Sequence, residues 1–263
     1  MIARPALWRP GGPPPWAGVD PVRRRHLPLR GVIDTFERVG QGTPVPDVFA
    51  PTETVLPADM VVDGPMAVPA QVRAEGVREG TKGVPASGAP TRVNAAVLAV
   101  LFEERGEARL IFTRRSRALR THGGQVSFPG GRLDPGEAPE AAARREAHEE
   151  VALDPGVVTT VGWLHPVMTL ISNALVLPVL ATVPGRPALV ANPTEVARIF
   201  DLSLAELADP AVFSEERWSL PGPGGASFPV WFFAVDGEVI WGATARMLVE
   251  ILSVVLGDEG VEV

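Results

Sequence analysis

Cysteine is absent from this chain of 263 residues, and its absence excludes disulfides, zinc–thiolate sites and thiol nucleophiles. Lysine is almost absent too: Lys82 is the single lysine among 24 basic residues. A skew of that kind reads first as genomic base composition. It leaves arginine as the cation, which is the better fork for a phosphate. Long apolar runs are also missing. Ala95–Phe102 and Ala174–Val183 fall short of the roughly 18 residues that a bilayer crossing needs. The opening residues, MIARPALWRPGGPPP, lack the apolar core of a signal peptide. Positive charge in excess is lacking as well. The net charge is −7, so nothing global steers the chain towards nucleic acid or an anionic membrane. The expectation is a cytoplasmic protein with neither as a partner.

What is present is ordinary for a globular protein, at 46% hydrophobic and 21% charged residues. The length suits one sizeable domain with an appendage. The character changes near residue 90. Residues 1–91 are rich in Pro and Gly, with Pro13–Pro15 in a row, and show no independent core. They read as a partly irregular extension with short ordered pieces near Leu27–Val39, and Arg23–Arg24–Arg25–His26 as a solvated basic patch. Residues 92–256 form the domain, and 257–263 a tail. Within the domain, Val93–Phe102, Ala108–Thr113, Gln125–Phe128, Val157–Leu164, Leu175–Val183 and Val230–Val235 read as strands. Ala205–Ala208 reads as a helical turn. A helix is expected from Pro139 to Val151, since proline suits a first helical turn. Another is expected over Ala243–Leu256, where Met247, Leu248, Ile251, Leu252 and Val255 share a face. Strands mixed with two separated helices indicate an α/β sheet covered on both faces.

The chemistry concentrates between Gly130 and Leu153. Glu146, Glu149 and Glu150, spaced i, i+3 and i+4, project from one helical face. Three glutamates on a helix are ordinarily a solvated face. Here a glycine pair precedes the helix, and glycine lets backbone approach a metal or phosphate closely. Carboxylate oxygens are what a hard dication prefers. Glu137 in the loop and Arg145 in mid-helix could pair to hold the loop against the helix.

Gly131, Glu137, Arg145-Glu146, Glu149-Glu150 and Val151 resemble the Nudix box, G-x5-E-x7-R-E-U-x-E-E-x-G-U, where U is a bulky aliphatic residue. Two positions depart: Ala147 is small where U is expected, and Ala152 replaces a glycine. That glycine often forms a left-handed cap, so alanine there would cost about 1 kcal/mol. Upstream, Phe112-Thr113-Arg114-Arg115-Ser116, Arg120 and Gly124 to Gly131 resemble the signature of coenzyme A pyrophosphatases within that superfamily. Leu164–Pro178, Thr194-Glu195-Val196 and Ile240–Ala245 are also similar to that family.

The resemblance implies a Nudix α/β/α sandwich with a mixed β-sheet between helices, and an enzyme. Its Mg²⁺ or Mn²⁺ ligands would be Glu146, Glu150 and Glu149, with Arg145 and Glu137 supporting them. A carbonyl near Gly130 or Gly131 would add a ligand. The small-molecule substrate would be coenzyme A or a thioester, cleaved to 3′-phospho-AMP and (acyl-)4′-phosphopantetheine and met by Arg115, Arg120, Gln125, Gly130 and Gly131. Arg114 and Arg117 read rather as surface. The proton acceptor would be Glu149, or else Glu195. His148 is expected to face solvent or the helix flank, and Trp218 with Pro221–Gly225 to form a surface connection. A Nudix enzyme for ADP-ribose or a dinucleotide is one alternative. A non-catalytic, nucleotide-binding regulatory module is another, although all box carboxylates are present. A homodimer is left open.

Overall fold

The computed structural model describes Arg4 and residues 8–40, 93–119, 122–169, 174–219 and 227–257. Lys82, Arg120, Pro221–Gly225 and the tail beyond Gly257 lie outside the described residues. In chain order the elements are β1 (Trp8–Pro10), α1 (Pro21–Arg24), α2 (Leu29–Gly40), β2 (Ala95–Glu104), β3 (Glu107–Arg115), β4 (Val126–Ser127) and β5 (Gly130–Arg132). Then come α3 (Pro139–Val151), a 3₁₀ turn at Pro155–Val157, β6 (Thr159–Trp163), β7 (Val167–Thr169), β8 (Ala174–Thr182) and β9 (Val196–Ser203). The chain continues through α4 (Leu204–Ala208), β10 (Phe213–Ser219), β11 (Ser227–Val235), β12 (Glu238–Trp241) and α5 (Gly242–Gly257).

The larger sheet runs β4-β3-β2-β8-β6, with β5 paired to β2, β7 to β8 and β9 to β3. Only β2 and β8 are parallel; the other pairings are antiparallel, so the sheet is mixed. β2 explains the layering. Its residues Ala96, Leu98, Val100 and Phe102 pack with Ala142, Ala143, Ala147 and Val151 of α3. The alternate set, Ala95, Ala99 and Leu101, joins the core built from α5 (Leu248, Ile251, Leu252) and α2 (Val32, Phe36). A strand buried on both faces reads as a continuous apolar run, because alternate side chains serve different layers. Helices on both faces complete the α/β/α sandwich.

A second, antiparallel sheet orders β1-β10-β11-β12. β1 pairs with β10, and Trp16, Leu27, Val32 and Phe36 enter the domain core. Residues 8–40 are thus tied to the domain by strand pairing and buried side chains. The basic run is tied down as well. Arg24 Nε donates to the Val19 carbonyl, and His26 Nδ1 lies 2.9 Å from Glu107 Oε1. Trp218 corrects the surface-connection reading. It sits in β10, buried, with its ring 6.3 Å from Phe232 and its Nε1 donating to Glu216. Its strand neighbour Glu216 is itself buried and paired with Arg4.

Candidate active site

The glycine pair is clamped to the sheet before the acidic helix begins. Gly130, Gly131 and Arg132 pair antiparallel with Val97, Ala96 and Ala95, and Leu98 N–H donates to the Pro129 carbonyl. A Cβ on Gly130 would lie 2.5 Å from Val97 Cα, so only glycine fits this backbone-to-backbone approach. A Cβ on Gly131 would instead meet the Glu146 carboxylate oxygens at 2.6 Å. Gly131 therefore leaves the space that Glu146 occupies.

The chain then turns at Asp134–Pro135–Gly136. Glu137 N–H donates to the Asp134 carbonyl at 3.0 Å, and Gly136 takes φ +82°. Pro followed by Gly is the pair this turn geometry favours. Pro139 starts α3, and Arg145 reaches back to fasten the loop. Its Nε and Nη2 donate to the two oxygens of Glu137 at 2.9 and 3.0 Å, and Nη2 also donates to the Arg132 carbonyl at 3.1 Å. Those bonds and the Asp134 amide hold the Glu137 carboxyl below the usual carboxylate range. The third nitrogen, Nη1, donates to Glu146 Oε1 at 2.9 Å and Glu149 Oε2 at 3.3 Å.

The three box glutamates differ in environment. Glu149 is the open one, with its side chain 55% exposed. Burial pushes the Glu146 carboxyl up, Arg145 opposes this, and Glu149 and Glu195 add to the rise. Glu150 is 2% exposed, and burial pushes its carboxyl up to about 7, against the pull of Arg115 and the Gly130 amide. Its Oε1 accepts from Arg115 Nη1 at 3.1 Å and its Oε2 from the Gly130 N–H at 3.2 Å. Glu195 and Glu146 each push Glu150 further up, which places three carboxylates within one another's field.

Glu195 arrives from the loop before β9. Its carbonyl accepts from Ser116 N–H at 2.7 Å, and the same loop is pinned to α3 by Asn192 N–H donating to the Glu150 carbonyl at 2.8 Å. β3 ends at Arg115, opposite Val196. Arg115, Glu195, Gly130 and Glu150 thus meet at one end of the sheet. Gln125 lies beside them, its carbonyl accepting from Arg115 N–H at 2.9 Å and its Oε1 2.9 Å from His122 Nδ1.

Arg114 points elsewhere, donating to the buried Glu238 at 2.9 Å, a carboxylate that Arg198 also holds. That neutralisation is non-local, and nothing in the local sequence signals it. His148 is exposed, with Nδ1 3.1 Å from the Leu153 carbonyl. Ala152 takes the left-handed conformation, φ 55° and ψ 29°, where the box has glycine. Ala147 is fully buried against the sheet, so a small residue at that aliphatic position sets a close helix–sheet contact.

Among the described residues no three Asp, Glu or His side chains converge into a ready-made metal cage. Two guanidinium cations, Arg145 and Arg115, stand among the carboxylates.

The NUDIX domain family matches residues 92–221. Uncharacterized Nudix hydrolase NudL of Photorhabdus laumondii is 37% identical over 140 residues, covering 53% of this chain and 73% of that one. Nudix hydrolase 22, chloroplastic, of Arabidopsis thaliana is 39% identical over 172 residues, 61% of this chain and 55% of that one. A solved Nudix hydrolase from M. smegmatis, RenU, aligns over 45% of this chain and 74% of its own, with 26% identity and a TM-score of 0.40. The chain belongs to the Nudix family. It is a hydrolase of that family, acting on a pyrophosphate bond. No helix among the described residues is long and apolar enough to cross a membrane.

Proposed function

We propose that this Nudix hydrolase cleaves the pyrophosphate bond of coenzyme A or an acyl-coenzyme A, giving 3′-phospho-AMP and (acyl-)4′-phosphopantetheine. The observation that carries the reading is the contact between Arg115 and Glu150. Arg115 lies in the stretch Phe112–Gly131, which resembles the coenzyme A signature, and Glu150 lies in the metal box. The two motifs meet at one carboxylate. Coenzyme A has a 3′-phosphate besides its pyrophosphate, and a guanidinium can grip a phosphate through two parallel bonds. Arg115 and Gln125 with the Gly130–Gly131 backbone are assigned to substrate, and Arg120 with them.

Glu146 and Glu150 are assigned as principal ligands of Mg²⁺ or Mn²⁺, with Glu149 serving a further ion. The donor set fits: it offers oxygen only, and burial disfavours the anionic form of both carboxyls, which a dication would offset. The ions supply charge neutralisation for the pyrophosphate and acidify the attacking water. Two carboxylates are candidates to accept that proton. Exposed Glu149 is the first assignment, and half-buried Glu195 the second. Arg145 and Glu137 keep the loop and helix at fixed spacing, which preserves the geometry of attack.

The test is to incubate the protein and Mg²⁺ with coenzyme A and separate the products. 3′-Phospho-AMP and 4′-phosphopantetheine in equal amounts are expected, with none from Glu150→Gln. Intact coenzyme A alongside cleaved ADP-ribose would move the assignment to another Nudix substrate.

A further inference from the structure

Glu150 has no free oxygen. One accepts from Arg115 and the other from the Gly130 amide, and the carboxylate is buried to 2% exposure. A hydrated dication that takes up that carboxylate competes with a guanidinium 3.1 Å away, for both space and charge. Arg115 is itself only 23% exposed, and its backbone N–H is fixed to the Gln125 carbonyl, so the guanidinium stays at this end of the sheet. Its neighbour Arg114 is taken up by Glu238. An arginine that must leave a carboxylate when a metal arrives needs another anion, and the pyrophosphate of the substrate supplies one.

We propose that Arg115 holds the place of a divalent ion at Glu150 in the metal-free enzyme, and that metal loading transfers this guanidinium to a substrate phosphate. Metal and substrate then bind with positive coupling, because each completes the exchange that the other begins. The metal-free enzyme stores its arginine on the ligand, which keeps Glu150 neutralised and the guanidinium withheld from phosphate until a metal arrives. The inference rests on Glu150 being a metal ligand, as proposed above.

The test is Mn²⁺ binding to substrate-free protein, read as free Mn²⁺ by electron paramagnetic resonance, so no turnover is involved. Arg115→Gln should bind Mn²⁺ about tenfold more tightly than the unaltered protein, since one charge-assisted bond no longer competes. Arg114→Gln removes an equal charge one residue away but should leave the affinity within twofold. Should Arg115→Gln fail to fold, Arg115→Met keeps the stem and removes the charge, with the same expectation. Unchanged or weaker Mn²⁺ binding in the Arg115 variant, or an equal gain in both arginine variants, would overturn the exchange. Undiminished Mn²⁺ binding in Glu150→Gln would instead overturn the ligand assignment, so the two failures are distinguishable.

Discussion

Arg145 grips Glu137 with two parallel hydrogen bonds, Nε to Oε1 at 2.9 Å and Nη2 to Oε2 at 3.0 Å. The pair spans from the loop to mid-helix and fixes where Glu146 and Glu149 emerge. Lysine keeps the charge but cannot form the fork. Arg145→Lys is therefore expected to fold while losing about ten- to a hundredfold in kcat/KM, because the carboxylates lose their fixed spacing. Steady-state kinetics beside circular dichroism checks this; unchanged kcat/KM would make the fork merely structural.

The two glycines of the metal loop should fail in different ways. Gly130→Ala forces a Cβ onto the backbone of β2, which cannot yield, and should destabilise the fold by about 2–4 kcal/mol. Gly131→Ala meets only the far end of the Glu146 side chain, so it should fold and lose activity as that carboxylate is displaced. Thermal unfolding and turnover, measured on both variants, separate the two outcomes.

Ala152 holds a left-handed backbone that alanine adopts at a cost, φ 55° and ψ 29°. Ala152→Gly relieves that strain, partly offset by the greater freedom of glycine in the unfolded chain. The expected net gain is about 0.5–1 kcal/mol, read from chemical denaturation. A loss of stability would mean that the Ala152 methyl packs usefully.

Glu150 gives the metal-free protein a pH signature. Its carboxyl is pushed up to about 7 by burial, against roughly 4.3 in an unfolded chain. Between those values the folded state holds a proton that the unfolded state has released, so stability falls as pH rises. The contribution is full below about pH 4.3 and gone above about 7, and amounts to up to about 4 kcal/mol. Thermal midpoints measured in chelator should decline between pH 5 and 7.5, and the decline should flatten in Glu150→Gln. A midpoint rising over that range in the unaltered protein would contradict the burial argument.

Much of this site was legible in the sequence because it is local. The proline at helical position one placed α3 at Pro139–Val151, which is where it lies, and the spacing of Glu146, Glu149 and Glu150 was then read on that helix. The Arg145–Glu137 pair, eight residues apart, was readable for the same reason. What the sequence hid is non-local. β1 and β10 pair across some two hundred residues, and β10 carries Glu215, Glu216 and Arg217, whose charges disguise a strand. The strand tolerates them because Arg4 and the Trp218 Nε1 partner the buried Glu216. Arg114 and Arg115 look equivalent in sequence. Only the fold sends one to Glu238 and the other to Glu150.

The central claim is that this site is built for coenzyme A. Its most direct test is the ratio of kcat/KM for coenzyme A to that for ADP-ribose and for dephospho-coenzyme A, each with saturating Mg²⁺. At least a tenfold preference for coenzyme A over both is predicted. Equal or faster cleavage of ADP-ribose would contradict it.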